Sequence, residues 1–113
     1  MKLVEIATFT DQVADMTAFY KALLEAEPVA ESPDMAIFMN GETKIFIHRT
    51  YEPQEGELPP ENHKAFSVPN VDDAVSNLTG AGLKIEVPPA DYYWGRSAYL
   101  RDPDGQLIEI TTA

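Results

Sequence analysis

The strongest constraint in the sequence is an internal repeat, because its two halves show the same order of structural signals. Residues 1–50 have the pattern of a strand, a helix and further strands, and residues 63–113 have the same pattern. Between them, residues 51–62 (YEPQEGELPPEN) carry three prolines, four glutamates and no cation, which is typical of a solvated linker. We therefore predict one domain over residues 1–113, made of two similar modules and this linker.

In the first module, residues 3–10 alternate as in a strand, and apolar residues recur at helical spacing from Val13 to Leu24. Asp11 is the predicted N-cap of that helix. Asn40-Gly41 predicts a hairpin turn between strands at 35–39 and 44–49.

In the second module, residues 63–68 form a predicted strand and residues 71–78 the apolar face of a helix. A strand over 83–87 is expected to end at Pro88-Pro89, since proline removes a donor from the sheet. The turn sequence DPDG at 102–105 separates predicted strands at 97–101 and 107–112.

Each module is therefore predicted to be βαβββ, which gives an α+β fold. Two such modules side by side make a curved eight-stranded sheet, with the helices on the convex face and the concave face open. A plain α+β sandwich without a pocket is the alternative that the pattern leaves open.

The charge balance narrows the classes of partner. Eight Lys and Arg against 19 Asp and Glu give a net charge of −11, which argues against nucleic acid and anionic membranes. The chain has no cysteine, which excludes a thiol nucleophile or a thiolate metal site. No apolar stretch is long enough to span a membrane, and the first residues resemble a strand, not a signal peptide. We expect a cytoplasmic protein with a small-molecule substrate.

Four residues with metal-binding side chains lie near strand ends or within alternating strands. The alternation places Glu5, His48, His63 and Glu109 on the face opposite the aliphatic residues. Two imidazoles and two carboxylates without sulfur suit Zn, Ni, Co, Mn or Fe(II). Each of these residues taken singly also has the simpler interpretation of a solvated surface residue.

Residues 99–110 (YLRDPDGQLIEI) resemble the C-terminal signature of the vicinal oxygen chelate superfamily, which includes glyoxalase I, extradiol dioxygenases and bleomycin and fosfomycin resistance proteins. His63 to Val68 and the Phe19-Tyr20 pair are also similar to that family. The resemblance covers both modules and implies metal ligands at Glu5, His48, His63 and Glu109, and a homodimer. The order of His and Glu differs from that of glyoxalase I, and cations to hold glutathione are few.

The resemblance implies a metal-dependent lyase or isomerase that acts on an α-oxo or hydroxy-carbonyl compound, with the metal as Lewis acid. Glu109 or Glu5 would be the catalytic base, with Glu109 preferred. Two alternatives stay open: an Fe(II) enzyme like the extradiol dioxygenases, and a non-catalytic protein that binds a small molecule or antibiotic.

Residues 91–96 (DYYWGR) resemble the family's mobile loop over the substrate, in which Arg96 would anchor an anion. A dimer contact or a hydrophobic plug is the alternative. The predicted substrate contacts are Phe9, Phe46, Tyr93, Trp94, Arg96 and Tyr99.

Overall fold

The computed structural model describes residues 1–54, 58 and 60–112. Residues 55–57 and 59 of the predicted linker (51–62), and residue 113 of the predicted domain, lie outside the described residues. The described part contains the following strands and helices: β1 (Lys2–Thr10), α1 (Val13–Leu24), β2 (Ala30–Ser32), β3 (Met35–Asn40), β4 (Thr43–Arg49), β5 (His63–Val68), α2 (Val71–Gly80), β6 (Ile85–Tyr92), β7 (Gly95–Arg101) and β8 (Leu107–Thr112).

This order contains βαβββ twice, with four strands in each module. The predicted α+β class with two such modules is confirmed. Neither helix in the described part of the chain is long and apolar enough to cross a membrane. The chain divides into two compact units, one of residues 5–62 and one of residues 1–4 with 63–113.

In the unit of residues 5–62, the strands follow the order β2-β3-β4-β1, with β1 parallel to β4 and the other neighbours antiparallel. Helix α1 packs on this sheet because its apolar residues and those of β3 and β4 share one buried face. The core of the unit consists of Val13, Ala36, Phe38 and Ile47, with Met16, Tyr20, Leu24 and Ile45 packed against them.

The start of α1 differs from the prediction. Gln12, not Asp11, is the N-cap residue, and it makes no side-chain capping bond. The Asp11 carboxylate instead accepts a hydrogen bond from the Thr50 hydroxyl. The side chain expected to cap the helix is therefore bound to a residue distant in the sequence.

In the other unit, β5 lies parallel to β8, and β8, β7 and β6 follow as antiparallel neighbours. Asn70 caps α2 by accepting a hydrogen bond from the Asp73 amide at 2.9 Å. The buried core consists of Val68, Val71, Ala98, Leu100 and Ile110.

Strand β6 corrects the predicted stop at Pro88-Pro89. It runs from Ile85 to Tyr92 through both prolines, and its pairing with β7 is irregular between Ile85 and Ala90. Since β6 is the last strand in the sheet order, its outer side needs no donors, and an edge strand tolerates proline.

Candidate functional site

His63 and Glu109 meet on the two parallel strands β5 and β8. Glu109 lies opposite Ala65, two residues beyond His63, so both side chains project from the same face. Nε2 of His63 is 3.3 Å from Oε1 of Glu109. The two side chains are 14% and 5% exposed, so this is a shielded pair of polar groups.

The second carboxylate oxygen of Glu109 is held by other residues. Oε2 accepts a hydrogen bond from the Ser97 hydroxyl at 2.7 Å and another from the indole N–H of Trp94 at 3.1 Å. Ser97 is fully buried on β7, and its hydroxyl also contacts the Thr111 hydroxyl at 2.8 Å. Because Oε2 is fixed in this way, the carboxylate keeps Oε1 directed at His63.

The charged form of Glu109 is favoured despite its burial. Burial raises the pKa of Glu109, but hydrogen bonds from His63 and Ser97, the positive charge of His63 and the Trp94 hydrogen bond together bring this pKa below its ordinary value. Glu109 is therefore a carboxylate at neutral pH, as a metal ligand must be.

The spacing of this pair fits two ligands of one ion. Metal bonds from imidazole nitrogen and carboxylate oxygen are about 2.0–2.2 Å long, so two neighbouring ligand atoms lie roughly 3.0–3.4 Å apart. The 3.3 Å between Nε2 and Oε1 lies in that range. Nitrogen and oxygen donors without sulfur suit Zn, Ni, Co, Mn or Fe(II).

Glu5, the third predicted ligand, lies on β1 opposite Lys44 of β4. Oε1 of Glu5 is 3.8 Å from the Lys44 ammonium, and the Glu5 side chain is 20% exposed. A half-shielded carboxylate of this kind has the chemistry of a metal ligand or a base.

The register of β1 and β4 does not support His48, the fourth predicted ligand. His48 lies opposite Phe9, four positions beyond the Glu5–Lys44 pair. Four strand residues span about 13 Å, whereas ligand atoms of one ion lie about 3–4 Å apart. His48 instead lies among aromatic rings, with the centroids of Phe9 and Phe46 at 5.9 and 5.5 Å from its own.

The predicted mobile loop at 91–96 is a tight hairpin turn. Tyr92 pairs with Gly95 at the ends of β6 and β7, which leaves only Tyr93 and Trp94 in the turn. The Trp94 ring stacks on Tyr92 with centroids 4.6 Å apart and planes 4° from parallel. Stacking and the bond to Glu109 therefore fix Trp94, while the Tyr93 side chain is fully exposed.

Arg96, the predicted anion anchor, is engaged by carboxylates of its own unit. Its guanidinium donates two hydrogen bonds to Asp72, at 2.7 and 3.0 Å, and one to Asp91 at 3.0 Å. The bidentate pair with Asp72 raises the pKa of Arg96 and lowers that of Asp72. An incoming anion would have to displace these partners.

Tyr99, another predicted substrate contact, is buried beside the pair, with its ring 6.4 Å from that of His63. Ser97 is the residue that the sequence interpretation missed. It lies two positions before Tyr99 and opposite Thr111 on β8, so it shares the face of Glu109. A small polar residue on the same face of β7 as Tyr99 is the signal that could have identified it.

The chain is similar to known proteins over nearly its whole length. The family model of the Glyoxalase/Bleomycin resistance protein/Dioxygenase superfamily matches residues 2–110. An uncharacterised protein, YraH of Bacillus subtilis (strain 168), is 32% identical over 97% of both chains. Biphenyl-2,3-diol 1,2-dioxygenase 3 of Rhodococcus globerulus is 30% identical over 96% of this chain, which spans 62% of that protein.

The same fold occurs in a solved structure, that of the hypothetical protein BH1468 of Bacillus halodurans C-125. It superposes with a TM-score of 0.72 at 17% identity, over 99% of this chain and 94% of that one. With the match over residues 2–110, these similarities establish that the chain belongs to the Glyoxalase/Bleomycin resistance protein/Dioxygenase superfamily.

Proposed function

We propose that the protein is a metal-dependent lyase or isomerase of glyoxalase type that acts on a small α-oxo or hydroxy-carbonyl substrate. The observation that carries this proposal is the His63–Glu109 pair, whose facing atoms are 3.3 Å apart and whose carboxylate is charged and fixed. A histidine and a carboxylate held in this way, shielded from water, suit a divalent cation.

Glu5 is the proposed third ligand. It is supported by its donor type, because its carboxylate offers the same kind of ligand atom as that of Glu109, and by its partial shielding on β1. His48 has no place in this proposal, because the register separates it from Glu5. The resulting set has one imidazole and two carboxylates, and it leaves coordination positions for substrate oxygens.

The two glutamates have different roles in this proposal. A bound divalent metal supplies Lewis-acid stabilisation of negative charge on the substrate oxygens. Glu109 is a fixed ligand, because Ser97 and Trp94 both hold Oε2 and oppose any swing of the carboxylate. Glu5 would therefore be the better general base and would take a proton from the carbon next to a substrate oxygen. This reverses the sequence-based preference for Glu109.

An Fe(II) ring-cleaving dioxygenase is the second candidate. It is favoured by the 30% identity to biphenyl-2,3-diol 1,2-dioxygenase 3. The iron site of non-haem oxygenases typically has two histidines and one carboxylate, whereas the proposed set has the reverse composition. Activity on a catechol with Fe(II), absent with Zn²⁺ or Ni²⁺, would establish this function instead.

Metal titration of the metal-stripped protein tests the site. We expect one Zn²⁺ or Ni²⁺ per chain by calorimetry, and a loss of affinity of at least about 100-fold in His63→Ala and Glu109→Gln. Glu86→Gln is the matched control, since Glu86 pairs with Arg101 outside the site. Equal metal affinity in all three variants would refute the site.

A substrate screen tests the reaction. The metal-loaded protein is assayed against α-oxo, hydroxy-carbonyl and vicinal-diol compounds, and Glu5→Gln is expected to lose turnover even at metal concentrations that saturate the variant. A protein that binds a screened compound tightly without converting it would be a binding protein, not an enzyme.

We also propose that the protein is a homodimer. Sedimentation equilibrium tests this proposal, and a monomer at all concentrations would contradict it.

A further inference from the structure

The unit of residues 5–62 carries an aromatic surface that the proposed metal site does not use. His48 of β4 lies among Phe9, Phe46 and Tyr51, whose ring centroids are 5.9, 5.5 and 5.8 Å from the imidazole. The rings are inclined to the imidazole by 54°, 46° and 78°, so their planes do not stack flat on it. None of these four side chains is fully buried, and Tyr51 is 44% exposed. We call these four residues the His48 cluster.

One hydrogen bond determines the tautomer of His48. Nδ1 lies 2.7 Å from the carbonyl oxygen of Arg49. A carbonyl oxygen only accepts, so Nδ1 carries the proton and Nε2 of the neutral ring bears a lone pair. Nε2 has no hydrogen-bond partner among the described residues. Every buried side-chain nitrogen or oxygen atom among those residues does have a partner, so Nε2 is not one of the buried atoms. Nε2 is therefore an acceptor that faces accessible space.

We propose that the His48 cluster is a binding subsite for a flat aromatic ring that bears a hydroxyl group. The ring packs edge to face against Phe9, Phe46 and Tyr51, an arrangement that aromatic pairs favour. The hydroxyl donates its hydrogen bond to Nε2 of His48. An aliphatic ligand would lose the aromatic contacts, and an aryl ether would leave Nε2 without a donor.

The register of β1 and β4 places this subsite near Glu5, the proposed general base, without making the subsite depend on that residue. Phe46 lies opposite Ala7, two positions from the Glu5–Lys44 pair, which is about 7 Å along the strand. A hydroxyaromatic substrate bound at His48 could thus extend toward Glu5. The subsite itself needs no metal, so it can be tested on metal-free protein and can stand if the metal site fails.

The experiment compares phenol with anisole, which has the same ring but no O–H donor. The imidazole nitrogens of metal-free, ¹⁵N-labelled protein are followed by NMR in a His63→Ala background, where His48 is the sole histidine. Phenol is expected to shift the Nε2 resonance of His48 and to bind roughly three- to tenfold more tightly than anisole.

A matched pair of variants assigns the effect. His48→Phe keeps an aromatic ring but removes the acceptor, so phenol and anisole should then bind equally. Phe19→Leu, which changes an exposed ring of α1 outside the cluster, should leave the preference intact. The proposal is wrong if phenol leaves the Nε2 resonance unshifted or if His48→Phe retains the preference for phenol. It is also wrong if anisole, which lacks the O–H donor, or cyclohexanol, which lacks the aromatic ring, binds as tightly as phenol. Thermal unfolding of each variant confirms that it is folded.

Discussion

The indole N–H of Trp94 lies 3.1 Å from Oε2 of Glu109, so the single tryptophan of the chain is hydrogen-bonded to a proposed metal ligand. Intrinsic tryptophan fluorescence therefore reports on this carboxylate directly. Trp94 also donates to Ser97 at 3.0 Å, and its ring is 46% exposed. Any ion that draws the Glu109 carboxylate toward itself must alter the surroundings of the indole.

We expect Zn²⁺, which does not itself quench through unpaired electrons, to change the intensity or the wavelength of Trp94 emission until one ion is bound per chain. Glu109→Gln should remove this response. His48→Phe is the control and should respond like the unchanged protein. A Zn²⁺ response that persists in Glu109→Gln would show that the ion binds elsewhere.

Ser97→Ala should weaken both the fold and the metal site. The fully buried hydroxyl contacts Glu109 and Thr111, and its loss removes one of the two hydrogen-bond donors to Oε2 of Glu109 and a buried partner of Thr111. We expect a loss of about 1–3 kcal/mol in the free energy of unfolding, measured by urea titration, and a roughly tenfold or greater loss of Zn²⁺ affinity. Ser76→Ala, at an exposed position of α2, should change neither quantity.

The charge of Glu109 predicts a specific acid dependence of the metal-free protein. Its pKa is below the ordinary value of 4.5, so the folded state favours the carboxylate. The contribution of Glu109 to stability is complete above about pH 4.5 and is lost as pH falls through the lower pKa of the folded protein. The difference in unfolding free energy between the unchanged protein and Glu109→Gln should therefore shrink on acidification. A difference that grows below pH 4.5 would contradict the direction of the shift.

The periodic spacing of apolar residues, helical in some segments and alternating in others, is sufficient to predict both helices and the repeated module. It failed where a contact distant in sequence decides the outcome. Asp11 has the residue type of a helix cap, but Thr50 engages it instead. Prolines such as Pro88 and Pro89 usually end a strand, but β6 continues through both because it lies at the edge of the sheet.

The geometry of the predicted site depends on contacts of the same kind. A place near a strand end suggests His48 as a ligand, but only the pairing of β1 with β4 reveals its separation from Glu5. Charge suggests Arg96 as an anion anchor, but the position of Asp72 on α2 determines its partner in the structure. Residue type and alternation indicate the face of a strand, whereas the register between strands decides which residues meet.

Arg96→Lys tests whether this guanidinium is structural. Lysine keeps the charge but cannot make the bidentate pair with Asp72 or reach Asp91 at the same time. We expect the variant to melt at a lower temperature than the unchanged protein in dilute buffer. The difference in melting temperature should be smaller in 1 M NaCl, because salt screens exposed ion pairs. Zn²⁺ affinity should stay the same. A large loss of substrate affinity with an unchanged melting temperature would restore the anion-anchor role.

Gly95→Ala should disturb the turn that positions Trp94. Gly95 has φ = 135°, a conformation that side chains rarely adopt, and a Cβ there would lie 2.7 Å from Oγ1 of Thr112. We expect a cost of about 1–3 kcal/mol in unfolding free energy and a changed Trp94 emission in the folded, metal-free protein, because Trp94 is the preceding residue. Gly80→Ala is the control, since its added Cβ meets open space at the end of α2 and alanine favours a helix. Gly95→Ala with unchanged stability and emission would mean that the turn does not fix Trp94 against Glu109.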